Sequence, residues 1–234
     1  MKKIAILLSL GLMLLGAAEV RIVDYDALEA RDGVVYVKDE STPFSGRAES
    51  KFENGQVKQS TTFENGKKEG LVQSWYENGN LHTEISYKND RENGLRRTWS
   101  ENGKLVLEAT YKDGSADGLF QTWYWSGQLK SEANYIDGKK VGVIHAWYPS
   151  GQVQMEATYN KDGQKDGVVR MWHENGQLKM EAPYKDGKED GPVKMWDENG
   201  GQLEREFALQ PSTGLKKTVT RRPGSLSASS IRAW

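Results

Sequence analysis

The chain has 234 residues and no cysteine, and its 32 Lys and Arg against 33 Asp and Glu leave a formal net charge of −1. Without cysteine, disulfides and thiolate metal sites are excluded. Two lysines in 1–18 and five basic residues in 208–234, neither segment holding an acid, put the body between them at −8, a poor match for nucleic acid or anionic membrane, both of which attract basic surfaces.

Residues 1–18, MKKIAILLSLGLMLLGAA, have the layout of a secretory signal peptide: Lys2 and Lys3, an apolar run, then Gly16, Ala17 and Ala18 before the cut. The apolar run is too short to span a bilayer well. The expected location is therefore outside the cytoplasm, in the periplasm or outer envelope or secreted. Residues 19–45 lack the periodic pattern of the body and read as an N-terminal cap, with a short strand at Val34–Val37 expected to cover the open edge of the first hairpin.

Residues 46–207 are an array of one small unit. The glycine that opens it at Gly70 recurs at Gly94, Gly118, Gly142, Gly167 and Gly191, a spacing of 24 residues with a single 25. Trp75 recurs as Trp99, Trp123, Trp147, Trp172 and Trp196, and Tyr87 as Tyr111, Tyr135, Tyr159 and Tyr184. Gly46 to Gly70 is a divergent first unit, with Phe52 and Phe63 in place of Tyr76 and Tyr87 and Lys51 in place of Trp75. Each unit reads as two strands, because LVQSWY and LHTEISY alternate with period two and no window has helical spacing. Asn or Ser followed by Gly79, Gly103, Gly127, Gly151 and Gly176 marks one turn, and YKDG or YIDG marks the next. The fold class is all-β, an elongated single-layer solenoid of stacked antiparallel hairpins, in which neighbouring units supply the core that none owns alone. Residues 208–234 form a basic tail with no repeat signal, expected to be disordered.

Chemistry-bearing residues are few. His82, His145 and His173 fall at unequal positions with no ligand spacing, and no nucleophile–base pair or phosphate-cradling loop is present. No catalytic residue, cofactor or metal is expected, and the chain does not read as an enzyme. Glu84, Glu108, Glu132, Glu156, Glu181 and Glu206 recur in register. They form either a cross-strand charge ladder with Arg96, His145, Arg170 and Lys194 or a carboxylate row for divalent cations. The Trp and Tyr ladders are read as the solenoid's own core, the alternative being a partly exposed binding row. Tyr76, Tyr124 and Tyr148 give way to Ser100 and His173 in other units, a variation that suits an outer face; Tyr76, Tyr124, Tyr148 and His173 are the candidate binding face.

Units such as GLVQSWYENGNL and EATYKDGSADG resemble the bacterial variant of MORN (membrane occupation and recognition nexus) repeats, over about Phe44 to Leu203. In particular they look like the YwqK-type family, labelled antitoxin components of toxin–antitoxin systems. The resemblance implies a curved hairpin array that mediates protein or membrane contacts. Plant phosphatidylinositol phosphate kinases carry such repeats ahead of a catalytic domain, but this sequence contains no kinase domain. The function expected is an exported, non-catalytic scaffold at the bacterial envelope, antitoxin- or immunity-like, with another protein as partner. The alternative is a cell-wall or glycan-binding module, similar to choline-binding repeats. There adjacent aromatics form cages, whereas here the pair is broken at Trp99-Ser100, Trp172-His173 and Trp196-Asp197.

Overall fold

The computed structural model describes residues 20–208 and 216–221. The signal-peptide reading of 1–18 lies outside the described residues. Turn chemistry sets the fold. In the first turn of a unit, Gly79 N–H donates to Tyr76 O (2.9 Å) and Tyr76 N–H to Asn80 O (2.8 Å). Gly79 takes φ 87°, and the Asn78 side-chain oxygen accepts from Asn80 N–H at 2.9 Å. The glycine thus supplies the left-handed residue of a three-residue hairpin loop, while the asparagine contributes its side chain rather than a positive φ. In the second turn both central residues are left-handed, Asp113 at φ 49° and Gly114 at φ 88°, the two-residue geometry whose twist matches that of the strands it joins.

The cap contributes β1 (Ile22–Asp24), β2 (Leu28–Arg31) and β3 (Val34–Val37). The array runs through β4 (Gly46–Lys51), β5 (Val57–Glu64), β6 (Lys67–Trp75), β7 (Leu81–Lys88), β8 (Arg91–Trp99), β9 (Leu105–Lys112) and β10 (Ser115–Trp123). It continues with β11 (Leu129–Ile136), β12 (Lys139–Trp147), β13 (Val153–Tyr159), β14 (Gly167–Trp172) and β15 (Leu178–Lys185). Last come β16 (Lys188–Glu189), β17 (Lys194–Trp196), β18 (Gln202–Ala208) and β19 (Lys216–Arg221). From β4 to β16 successive strands pair antiparallel, and β15 pairs also with β17, which pairs with β18, giving one 17-stranded sheet that does not close, with β1 at one edge and β19 at the other.

Each unit carries two register shifts at fixed places, one beside the opening glycine (between Thr61 and Phe63 for β5 and β6) and one before the Trp (between Ser74 and Trp75). Such bulges bend a sheet, and their recurrence bends this one at the same point in every unit. Gly118 shows why the opener is glycine: its φ is 118°, and a Cβ there would lie 3.1 Å from Thr110 Cβ.

Two expectations are corrected. The edge of β4 is covered by β1, in parallel, whereas Val34–Val37 pairs with β2 in a separate two-stranded sheet. The cause is the Asp32-Gly33 turn, both residues at positive φ, which folds β2 and β3 onto each other. This small sheet is tied to the first unit directly by Val35 N–H to Gly66 O (2.9 Å), and through Phe44 by Phe44 N–H to Val35 O (2.8 Å) and Gly66 N–H to Phe44 O (2.7 Å). It closes a core of Phe44, Ala48 and Phe63 against Val23, Tyr25, Leu28, Val35 and Val37. The second correction concerns part of the tail: Lys216–Arg221 form β19, antiparallel to β18 with Glu206 opposite Thr218, a pairing suited to the β-branched run Thr218-Val219-Thr220, while the reading of 209–215 and 222–234 as disordered lies outside the described residues.

Candidate functional site: the two faces of the array

One face holds a row that is buried or half-buried along its length. Across successive strands Ala48 lies opposite Thr61, then come Val72, Ile85, Arg96, Ala109, Phe120 and Ala133, with Ile144–Ala157 and Val169–Ala182 in the same register further on. Ala48, Thr61, Ala109, Ala133, Ile144, Ala157, Val169 and Ala182 are 0–7% exposed. From Ala109 onward alanine alternates with a larger side chain, so each small residue there has larger ones on the strands beside it. The Trp and Tyr ladders flank this row and are half-buried throughout. Trp75, Trp99, Trp123, Trp147 and Trp172 face Leu81, Leu105, Leu129, Val153 and Leu178 across their hairpins. Tyr87, Tyr111, Tyr135, Tyr159 and Tyr184 lie opposite the unit-opening glycines, where an aromatic ring covers backbone that glycine leaves bare. The residues of the row that are enclosed outright are therefore alanine, isoleucine, valine and Thr61, not aromatic. Its signal in the sequence is the alanine after Glu108, Glu132, Glu156 and Glu181.

Arg96 interrupts that row. Its guanidinium lies 3.3 Å from Glu92 Oε1, and Arg96 Nε and Glu92 Oε2 are buried without a partner. Burial, and then the nearby Glu92 charge, push the Tyr87 phenol above its usual pKa.

The opposite face carries the charge ladder. Gln73, Glu84, Arg97, Glu108, Gln121, Glu132, His145, Glu156, Arg170, Glu181 and Lys194 follow one another strand by strand. Arg97 Nε donates to Glu108 Oε2 at 2.6 Å, Gln121 Nε2 to Glu132 Oε2 at 2.6 Å, and Arg170 Nε to Glu181 Oε2 at 3.2 Å. The cation in the third unit is Arg97, not Arg96. At the far end, Met195 opposite Leu203 sets a register that continues the row to Glu204 rather than Glu206. The carboxylates alternate with cations and amides, and among the described residues no three His, Asp or Glu gather as a metal site. Two residues along each first strand lies an aliphatic row, Leu71, Leu95, Leu119 and Val143, 39–44% exposed. Its members sit two strands apart, about 10 Å.

Tyr76, Tyr124, Tyr148 and His173 are half-buried and engaged between units. The phenols donate to Trp99 O (2.9 Å), Trp147 O (2.7 Å) and Trp172 O (2.9 Å), and His173 Nε2 lies 2.9 Å from Trp196 O. Each therefore ties one hairpin to the Trp backbone of the next. Ser100, 2% exposed, makes no such tie: its hydroxyl turns back onto Asn102 Oδ1 (2.6 Å) and Lys104 O (3.0 Å). Among the described residues the most exposed aromatic is Trp125, beside Tyr124 on a turn, which the repeat pattern alone does not single out.

A family model described as a MORN repeat variant matches six segments, residues 45–65, 68–89, 92–113, 116–137, 140–161 and 165–186. A comparison with curated proteins finds no match.

Proposed function

The chain belongs to the MORN repeat variant family, and on that premise we propose that it is an exported scaffold at the bacterial envelope that captures a partner protein. Repeats of this family are interaction modules and not catalytic domains. The reading extends to a YwqK-type, antitoxin- or immunity-like role, supported by the resemblance of its units.

The observation that carries the protein-binding reading is the exposed aliphatic row Leu71, Leu95, Leu119 and Val143 beside the charge ladder. Apolar side chains repeated in one register on a sheet face form a stripe of the kind that marks interaction surfaces. The flanking ladder offers both signs of charge for orientation. The partner is a protein segment with apolar side chains at about 10 Å intervals, bordered by complementary charges.

The test compares the wild type with Leu95→Ser/Leu119→Ser in affinity capture from envelope extract. A protein captured by the wild type and lost from the double variant, with the far-ultraviolet spectrum and unfolding midpoint retained, supports this face. Equal capture by both overturns it. Export is tested separately, by fusing residues 1–18 to a phosphatase that is active only outside the cytoplasm; an inactive fusion removes the envelope from the proposal.

A further inference from the structure

Trp125 stands apart from the repeat. It occupies the position held by Glu53, Glu77, Glu101, Glu174 and Glu198 in five other first turns and by Pro149 in the remaining one, and it is 72% exposed, so neither ladder absorbs it. Beside it lies a shallow cleft of about 420 Å³ lined by Asn78, Asn80, Glu101, Asn102 and Trp125, within the size range of small-ligand sites.

The cleft is tied together by hydrogen bonds between neighbouring turns. Asn78 Nδ2 and Asn80 Nδ2 both donate to Glu101 O, at 3.0 and 2.8 Å, and Lys104 Nζ donates to Ser126 O at 3.1 Å. Three successive turns are thereby linked before any ligand arrives, which lowers the ordering cost of binding. Two polar atoms are left over: among the described residues, Asn80 Oδ1 and Asn102 Nδ2 make no hydrogen bond.

The chemistry narrows the ligand. One flat exposed ring beside amides and a carboxylate matches a group with an apolar face and a hydroxylated edge, which describes a pyranose. No Lys or Arg lines the cleft, and Lys104, which borders it, is turned onto Ser126 O, so the cleft itself offers an anion no counter-charge. No second aromatic lines it either, so a quaternary amine has no cage. The cleft is shallow, which suits an extended chain laid across the indole rather than a single trapped sugar.

We propose that Trp125, with the amides of Asn80 and Asn102, forms a binding site for an uncharged β-1,4-linked saccharide. The sugar's C–H face lies on the indole, Asn80 Oδ1 accepts from one hydroxyl, and Asn102 Nδ2 donates to a neighbouring oxygen. The site is on the turn edge, away from the aliphatic row on the strands, so it stands or falls independently of the protein-capture reading.

The experiment follows the indole N–H resonances of the 15N-labelled full chain during titration with cellotriose and with tri-N-acetylchitotriose. The Trp125 resonance is assigned by its loss in Trp125→Glu, a substitution that restores the residue other units carry at this exposed position. Saturable movement of that resonance with either sugar is expected, with a dissociation constant of about 1 mM. Asn102→Asp keeps the oxygen that Ser100 uses and replaces the free donor with a charged acceptor; it should weaken binding about five-fold. No movement with either sugar overturns the site, as does movement with choline alone, or undiminished binding of the sugars by Trp125→Glu.

Discussion

At Arg96 a charged side chain stands where the corresponding positions of other units hold Val72, Phe120, Ile144 and Val169, and it is matched by Glu92 where those units hold Lys68, Ala116, Lys140 and Lys165. The pair is a compensated exception: each charge is desolvated by the row and stabilised by the other. Removing one partner strands the other, while replacing both with the common residues restores an apolar row. Arg96→Val alone should cost about 1–2 kcal/mol, below the fully buried case because the Arg96 side chain is 36% exposed. Glu92→Lys/Arg96→Val should return to wild-type stability or exceed it by about 1 kcal/mol. Urea unfolding of the three proteins checks both. The tyrosines give a pH dependence at the same scale. Burial, the largest cause, raises Tyr87 and Tyr135 above the ordinary value of 10.0. A phenol whose folded pKa lies above its unfolded one contributes its full stability below the unfolded value and loses it as pH rises through the folded value. The thermal midpoint should therefore hold from neutrality to about pH 10 and then fall. Tyr87→Phe/Tyr135→Phe should flatten that fall; an unchanged alkaline slope would remove these residues from its cause.

Within the hairpin, the Tyr–Trp backbone tie and the half-buried Trp make separable contributions. Tyr124→Phe removes only the hydroxyl that reaches Trp147 O at 2.7 Å, and should cost about 1 kcal/mol. Trp123→Ala removes a half-buried ring from a residue paired with Leu129 across the hairpin, and should cost about 2–3 kcal/mol, between a core truncation and an exposed one. Guanidinium unfolding of both variants checks the order. The hairpin itself was legible, because Gly79 and its equivalents follow each Trp by four residues and Asp-Gly closes the second turn. Which side of the strand is covered was not. Period two says which residues share a face, but a one-residue slip exchanges faces. Adjacent Arg96 and Arg97 let that slip pass unnoticed: one lies in the buried row and the other in the charge ladder. The register shift at each Trp also breaks the alternation there, so the ladder's flanking, half-buried place could not be read by counting residues. Nor could Tyr124 be separated from a ligand-facing residue, since its hydroxyl partner lies in the next unit, 23 residues on.

Across the whole molecule the cap and the interior units differ in kind. Interior units meet only their neighbours, through one register repeated from β6 to β15. The cap supplies a parallel strand and most of a core that the first unit lacks. That arrangement was hidden in the sequence because β1 has three residues and no turn links it directly to β4, so hairpin signals could not announce a parallel pairing. The consequence is an asymmetry under deletion. Removing Gly118 to Val141 takes out one whole period and joins Asp117 to Gly142, so every row regains its register with one unit fewer. In a nearest-neighbour array stability is nearly a sum of unit and interface contributions. The shortened chain should therefore fold, with a denaturant slope reduced in proportion to the surface removed and wild-type strand content per residue. Removing residues 20–43 instead leaves β4 as an uncovered edge and opens the sheet around Phe44, Ala48 and Phe63, a template for edge-to-edge association. That protein should aggregate on sizing chromatography or lose the first unit's protection in hydrogen exchange, although it retains more of the repeats than the unit deletion does. If both deletions unfold alike, the array is a single cooperative body and the nearest-neighbour description fails; if both stay folded and dispersed, β1 and the small sheet are dispensable and the first unit holds its own edge.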